Sequence, residues 1–181
     1  MMSPPKSLLV AAVALAAALL ITAEATVETT CKAAAGLDQQ LDYGFCVAEL
    51  TKHCDSPGAD AWGLAKVAAN LGVNDAGGAV RDVEAMLAAP PPGAVDGRTR
   101  AALGLCRKLY FDAELAFAGA YDEINARDYD AGKRMVADAA ALARRCDGVF
   151  AEAGLQSPLA SRGVYAVKIA AVCTAIIGLI E

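Results

Sequence analysis

Aromatic side chains make up only 6% of the 181 residues, and basic side chains number 16 against 21 acidic ones. The first scarcity removes the residues that favour strands; the second removes the positive surface that a phosphate backbone needs. An all-β fold and a nucleic-acid partner are disfavoured, and at a net charge of -5 so is an anionic membrane surface. Histidine occurs once, at His53, and no CxxC is present. Ligation of zinc would need scattered cysteines and carboxylates, so no metal is expected. His53 reads as a solvated residue near the end of a helix. GxSxG, HExxH and glycine-rich phosphate-loop patterns are also missing, and carboxylate pairs such as Asp122-Glu123 occur on any acidic helix. With neither nucleophile and base nor converging carboxylates, the chain does not read as an enzyme and calls for no cofactor.

Alanine is abundant, 43 of 181 residues, within a composition that is 56% hydrophobic. That is the make-up of a helical protein, and the length suits one domain with a real core. Residues 1–6 carry one lysine, residues 8–21 are apolar, and Ala23-Glu24-Ala25 offers small residues for a signal peptidase. The apolar run is shorter than a membrane span requires, so residues 1–25 read as a cleaved secretory signal. Cleavage removes Lys6 and Glu24 together and leaves the charge unchanged.

From Asp96 to Asn125, Leu103, Cys106, Tyr110, Ala113, Phe117, Ala120 and Ile124 alternate at spacings of three and four, the seam of a bundle helix. Asp128 offers an N-cap, and Gly132, Met135, Ala139, Leu142, Cys146 and Val149 repeat the pattern up to a stop at Gly154. The connection is so short that the two helices form an antiparallel hairpin. A third helix is expected to start at Ser157-Pro158 with Tyr165, Ile169, Val172, Ile176 and Leu179 inside. Its apolar length, Val164 to Ile180, is explained by that seam better than by a lipid-anchor signal, because no polar spacer and small-residue site precede it. Upstream, residues 60–89 read as an alanine-rich helix carrying Leu64, Val67, Leu71, Val83, Met86 and Leu87, weakened at Gly77-Gly78 and ended by Pro90-Pro91-Pro92. At the mature N-terminus, stretches beginning at Thr29 and at Asp42, the second ending near His53, form a small helical hairpin. Acidic and basic residues elsewhere are assigned to a solvated exterior.

Secretion exposes the six cysteines, at 31, 46, 54, 106, 146 and 173, to an oxidising compartment. Cys106 and Cys146 lie about 20 residues before and after the hairpin turn, so at 1.5 Å rise per residue they sit level and a disulfide is geometrically natural. Cys31 and Cys46 could staple the small N-terminal hairpin. Cys173 reads as a buried free thiol, whereas Cys54 is either free or paired with Cys173.

Several segments together resemble one family. Thr30-Cys31-Lys32 with Asp42-Tyr43-x-Phe45-Cys46-Val47, Cys106-x-x-Leu109-Tyr110-x-Asp112-Ala113, Asp128-Tyr129-x-Ala131-x-x-x-Met135, Cys146-Asp147-x-x-Phe150 and Ser157-Pro158-Leu159 occur in its order. Residues 26–181 thus resemble the plant invertase/pectin methylesterase inhibitor family, in the invertase-inhibitor group that includes pollen allergens. The resemblance implies an all-α fold, an up-down four-helix bundle (57–181) preceded by a helical hairpin (26–56), with Cys31–Cys46 and Cys106–Cys146 joined. In such proteins a late cysteine is often unpaired, as Cys173 would be; Cys54 is additional to the pattern. It also implies a secreted inhibitor of the apoplast or cell wall, with the vacuole open, that docks one-to-one on a plant acid invertase or, alternatively, on a pectin methylesterase. Members that block invertase carry Pro-Lys-Phe where this chain has Asp128-Tyr129-Asp130. Tyr129 is the candidate anchor for a target cleft, flanked by Asp128 and Asp130; the plainer reading is that Asp128 only caps the helix and Tyr129 packs inward. A helical lipid carrier is a more distant alternative, disfavoured by seams whose alanines leave little room between helices.

Overall fold

A computed structural model describes residues 26–88 and 96–181; the expected signal segment and the Pro90-Pro91-Pro92 stop lie outside them. Among the described residues there are six helices and no strand: α1 Val27–Leu37, α2 Tyr43–Leu50, α3 Ala61–Ala88, α4 Gly97–Asn125, α5 Tyr129–Glu152 and α6 Ala160–Ile177. The expected all-α architecture, a helical hairpin ahead of an up-down bundle, is the one observed. Neighbouring long helices pack in the order α3, α4, α5, α6, and α6 closes the ring against α3.

Local chemistry places most helix starts. Thr26 and Thr29 form a reciprocal capping box on α1, so that helix begins at Val27, ahead of the expected Thr29. Asp42, Asp96 and Asp128 each turn a carboxylate oxygen onto a backbone N–H three residues on, at 3.0, 2.8 and 2.9 Å. The last helix departs from expectation. Leu159 N–H donates to Ser157 Oγ in a turn, and α6 begins only at Ala160 with no side-chain cap. Ser157-Pro158 shapes the approach to that helix, not its first turn.

The α4 seam is buried at every expected position. On α5 the expected Gly132, Ala139 and Cys146 are buried, and the other inward positions fall one residue on, at Val136, Ala143 and Phe150, with Ala140 also inside, while Met135, Leu142 and Val149 flank the core. At 135/136, 142/143 and 149/150 both neighbours are apolar, so spacing alone does not decide which of each pair turns inward. Helix α3 runs unbroken through Gly77-Gly78. These glycines are buried contact points; added β-carbons would meet Glu114 and Arg162. Close approach, not helix weakening, is their role.

Two disulfides fasten this arrangement, Cys31–Cys46 with Cα atoms 5.8 Å apart and Cys106–Cys146 with Cα atoms 4.9 Å apart. Cys54 and Cys173 are both free, the first exposed and the second buried on α6. The hairpin docks through Phe45, whose ring meets Tyr165 edge-on at 5.4 Å, and through Lys168 to Asp42 at 2.9 Å. Helix α6 is apolar enough to cross a membrane by length and composition, yet half of its residues are buried inside the bundle.

Candidate functional site

The turn between α4 and α5 is built by a backbone motif that usually calls for glycine. Arg127 N–H donates to Ile124 O at 3.1 Å and Asp128 N–H to Glu123 O at 2.9 Å, closing α4, while Arg127 itself takes φ 68°. A left-handed residue with a β-carbon costs about 1 kcal/mol. Its side chain gains contacts in return. The Arg127 guanidinium lies 4.4 Å from the centroid of the Trp62 ring and donates to Tyr129 Oη at 3.1 Å.

Trp62 organises the rest of the tip. Its Nε1–H donates to Ile124 O at 2.9 Å, fixing the start of α3 to the end of α4. Lys66 Nζ sits 3.5 Å from the same ring and also reaches Asn125 Oδ1 at 3.3 Å. Two cations thus hold one indole, and the rim of the bundle presents a fixed cationic and aromatic group.

Against that rim, Asp128 spends one carboxylate oxygen on the α5 cap. Tyr129 is half-buried, packed on the core with its hydroxyl tied to Arg127. Asp130 is exposed beside Lys133, which pairs with Glu181 at 2.5 Å. The three residues line an open cleft with Ala126, Arg127 and Glu181. Trp62, Lys66 and Arg127 were not singled out in the sequence; the readable signal was a lone tryptophan two helices away and an arginine where a turn favours glycine.

A second polar group links α6 to α3, reaching from the surface to the largely buried Asp75. Arg162 on α6 donates from Nη1 to Asp75 at 2.6 Å and from Nε and Nη2 to Asp82 at 3.1 and 2.8 Å. Asp75 has a side chain only 10% exposed, and burial outweighs Arg162 to hold its carboxyl above the ordinary range. Tyr110 on α4 is fully buried and its phenol is pushed up by burial, then by the nearby charges of Asp147 and Asp75. Arg162 thus ties α6 to α3 at the edge of the core, and Tyr110 of α4 lies near enough to feel the charges of this pair and of Asp147 on α5.

Comparison with known proteins agrees with this architecture. Residues 25–176 match the family described as plant invertase/pectin methylesterase inhibitor. Pectinesterase inhibitor 8 of Oryza sativa subsp. japonica is 54% identical over 158 residues, covering 87% of this chain and 84% of that protein. A Platanus orientalis protein bearing the provisional name of an invertase inhibitor is 27% identical over 158 residues, covering 87% of this chain and 90% of its own. Among solved structures, a mutant form of a pectin methylesterase inhibitor from Arabidopsis superposes with a TM-score of 0.67 at 17% identity, covering 86% of this chain and 97% of that one. With the fold, the match along the chain and the identity to a rice relative in agreement, the chain belongs to the plant invertase/pectin methylesterase inhibitor family.

Proposed function

We propose that this chain inhibits a pectin methylesterase in the plant cell wall, by one-to-one docking that covers the enzyme's cleft. The observation that carries the choice of target is the 54% identity to a rice pectinesterase inhibitor over 87% of the chain. The sequence expectation put acid invertase first, and the 27% identity to the Platanus protein supports that target less well. Where invertase-blocking members are expected to project Pro-Lys-Phe, Asp128 is engaged in a helix cap and Tyr129 is tied to Arg127.

Inhibition on this scaffold needs no chemistry of its own. A disulfide-locked bundle loses little conformational freedom on docking, so affinity comes from exclusion of substrate and from preorganised contacts. The tip supplies such contacts in Trp62, Arg127 and Tyr129, whose mutual packing holds them before a partner arrives.

The test is a parallel titration of a pectin methylesterase and an acid invertase with the purified, oxidised protein at mildly acidic pH. The expected result is saturable loss of pectin methylesterase activity near one equivalent, with invertase unaffected, and a rise of tenfold or more in the inhibition constant for Tyr129→Ala of unchanged helicity. Loss of invertase activity alone would restore the other target. No inhibition of either enzyme, with lipid co-purifying, would favour the carrier reading instead.

A further inference from the structure

The segment joining the small hairpin to α3 places three different metal-ligating atoms together. His53, Cys54 and Asp55 each present one donor, an imidazole nitrogen, a thiol sulfur and a carboxylate oxygen, all within 4.8 Å of one another. His53 Nδ1 is 3.8 Å from Asp55 Oδ2, and Cys54 Sγ is 3.6 Å from Asp55 Oδ1. Tetrahedral zinc with bonds of about 2.0–2.3 Å sets its ligand atoms about 3.3–3.7 Å apart. The separations to Asp55 are close to that span, and the cluster as a whole must contract slightly to hold one ion.

The imidazole is held by a neighbour on α3. Its Nε2 lies 3.4 Å from Asn70 Oδ1, and Asn74 Nδ2 donates to the same oxygen at 3.0 Å, which fixes the carboxamide with its oxygen toward the ring. With Nε2 as the donor to Asn70, Nδ1 is the acceptor nitrogen, 3.8 Å from Asp55 Oδ2. At present Nδ1 accepts a 3.2 Å hydrogen bond from Asp55 N–H, a contact that a cation would replace. His53 is half-buried, its side chain 18% exposed, and with Asp55, Lys66, Val67, Asn70 and Tyr121 it borders a cavity of about 280 Å³. Lys66, which lines the same cavity, turns its ammonium onto Trp62 and Asn125.

We propose that His53, Cys54 and Asp55 form a binding site for a borderline divalent cation, zinc foremost, through His53 Nδ1, Cys54 Sγ and one Asp55 oxygen, with an open fourth position. On binding, the Cys54 S–H proton passes to solvent and the sulfur bonds the metal. A thiolate and an imidazole select zinc over magnesium or calcium, which prefer oxygen alone. The sequence expectation of no metal rested on the absence of a CxxC and of a second histidine; this turn instead places three consecutive donors together.

The oxidised mature protein, with the Cys54 thiol verified by titration, is loaded with Co²⁺ as a spectroscopic substitute and then challenged with Zn²⁺. The expected result is one equivalent of Co²⁺ with a near-ultraviolet thiolate charge-transfer band, displaced by Zn²⁺ and absent in Cys54→Ser. Saturating Zn²⁺ should slow alkylation of Cys54 at least tenfold, and His53→Gln should weaken binding at least tenfold while leaving helicity intact. Binding without the thiolate band, binding unchanged in Cys54→Ser, or an unchanged alkylation rate would each overturn the proposal.

Discussion

The Arg127 guanidinium lies 4.4 Å from the centroid of the Trp62 ring, and Arg127 is also the left-handed residue that ends α4. One side chain therefore compensates, through a contact across the bundle, for a conformation that its own backbone disfavours. Arg127→Gly removes both the strain and the stack, about 1 kcal/mol each, and should leave stability within about 1 kcal/mol of the parent. Arg127→Ala keeps the strain and loses the stack, and should cost about 1–2 kcal/mol. Urea unfolding of both variants checks the order; equal stabilities would show that the backbone strain has no weight.

Gly72 of α3 faces the fully buried Phe117 ring of α4 so closely that a β-carbon would overlap the ring carbons. Alanine normally strengthens a helix relative to glycine. Here the overlap wins: Gly72→Ala should destabilise by about 1–3 kcal/mol through forced repacking. A melting temperature at or above that of the parent would mean that α3 and α4 can separate without cost.

The disulfides should differ in weight. Cys106–Cys146 closes a sequence separation of 40 and Cys31–Cys46 one of 15. In the chain-entropy account their removal by paired alanine substitution costs about 4 and about 3 kcal/mol. Denaturant unfolding of the two double variants should therefore show the larger loss for the α4–α5 link.

The free thiols should react differently. Burial pushes the Cys173 thiol up to about 12, and its Sγ lies 3.4 Å from Ala65 O, so it stays protonated and enclosed. Cys54 is exposed. Iodoacetamide should modify one thiol per folded chain, located at Cys54 by peptide mapping, and the second only in denaturant. Labelling of Cys173 in the folded state would require local opening of α6.

Stability should depend on pH through Asp75. Its carboxyl is held above the ordinary 3.8 by burial, so the folded chain binds that proton more tightly than the unfolded chain. Its contribution favours the fold below 3.8 and is lost as pH rises through the elevated folded value. The stability of the parent minus that of Asp75→Asn should therefore fall as pH rises from about 3.5 and then level off. Asp42, held low by Lys168 and the Phe45 N–H, and Asp96, held low by Thr99, work in the opposite sense, losing their contribution as pH falls. Both are present in parent and variant, so they cancel in the difference. A difference that rises with pH would show that Arg162 dominates the Asp75 site.

The fold was legible because its determinants are local and repetitive. The three-four spacing from Leu103 to Ile124 specifies a buried face, and Asp96 and Asp128 specify helix starts through a single side chain reaching a backbone N–H nearby. The level placement of Cys106 and Cys146 follows from helical rise alone.

Tertiary structure decided whatever depends on two helices meeting. On α5 it chose the inner member of the apolar pairs Met135/Val136, Leu142/Ala143 and Val149/Phe150, which spacing alone leaves open. It made Gly77-Gly78 a contact in place of a weak point, since only the approach of Glu114 and Arg162 gives the missing side chains a purpose. It brought Trp62 to Arg127, and Arg162 to Asp75 and Asp82, across sequence separations that no periodicity encodes. Chain-local chemistry acts over one helical turn, whereas packing joins residues that only the folded chain brings together.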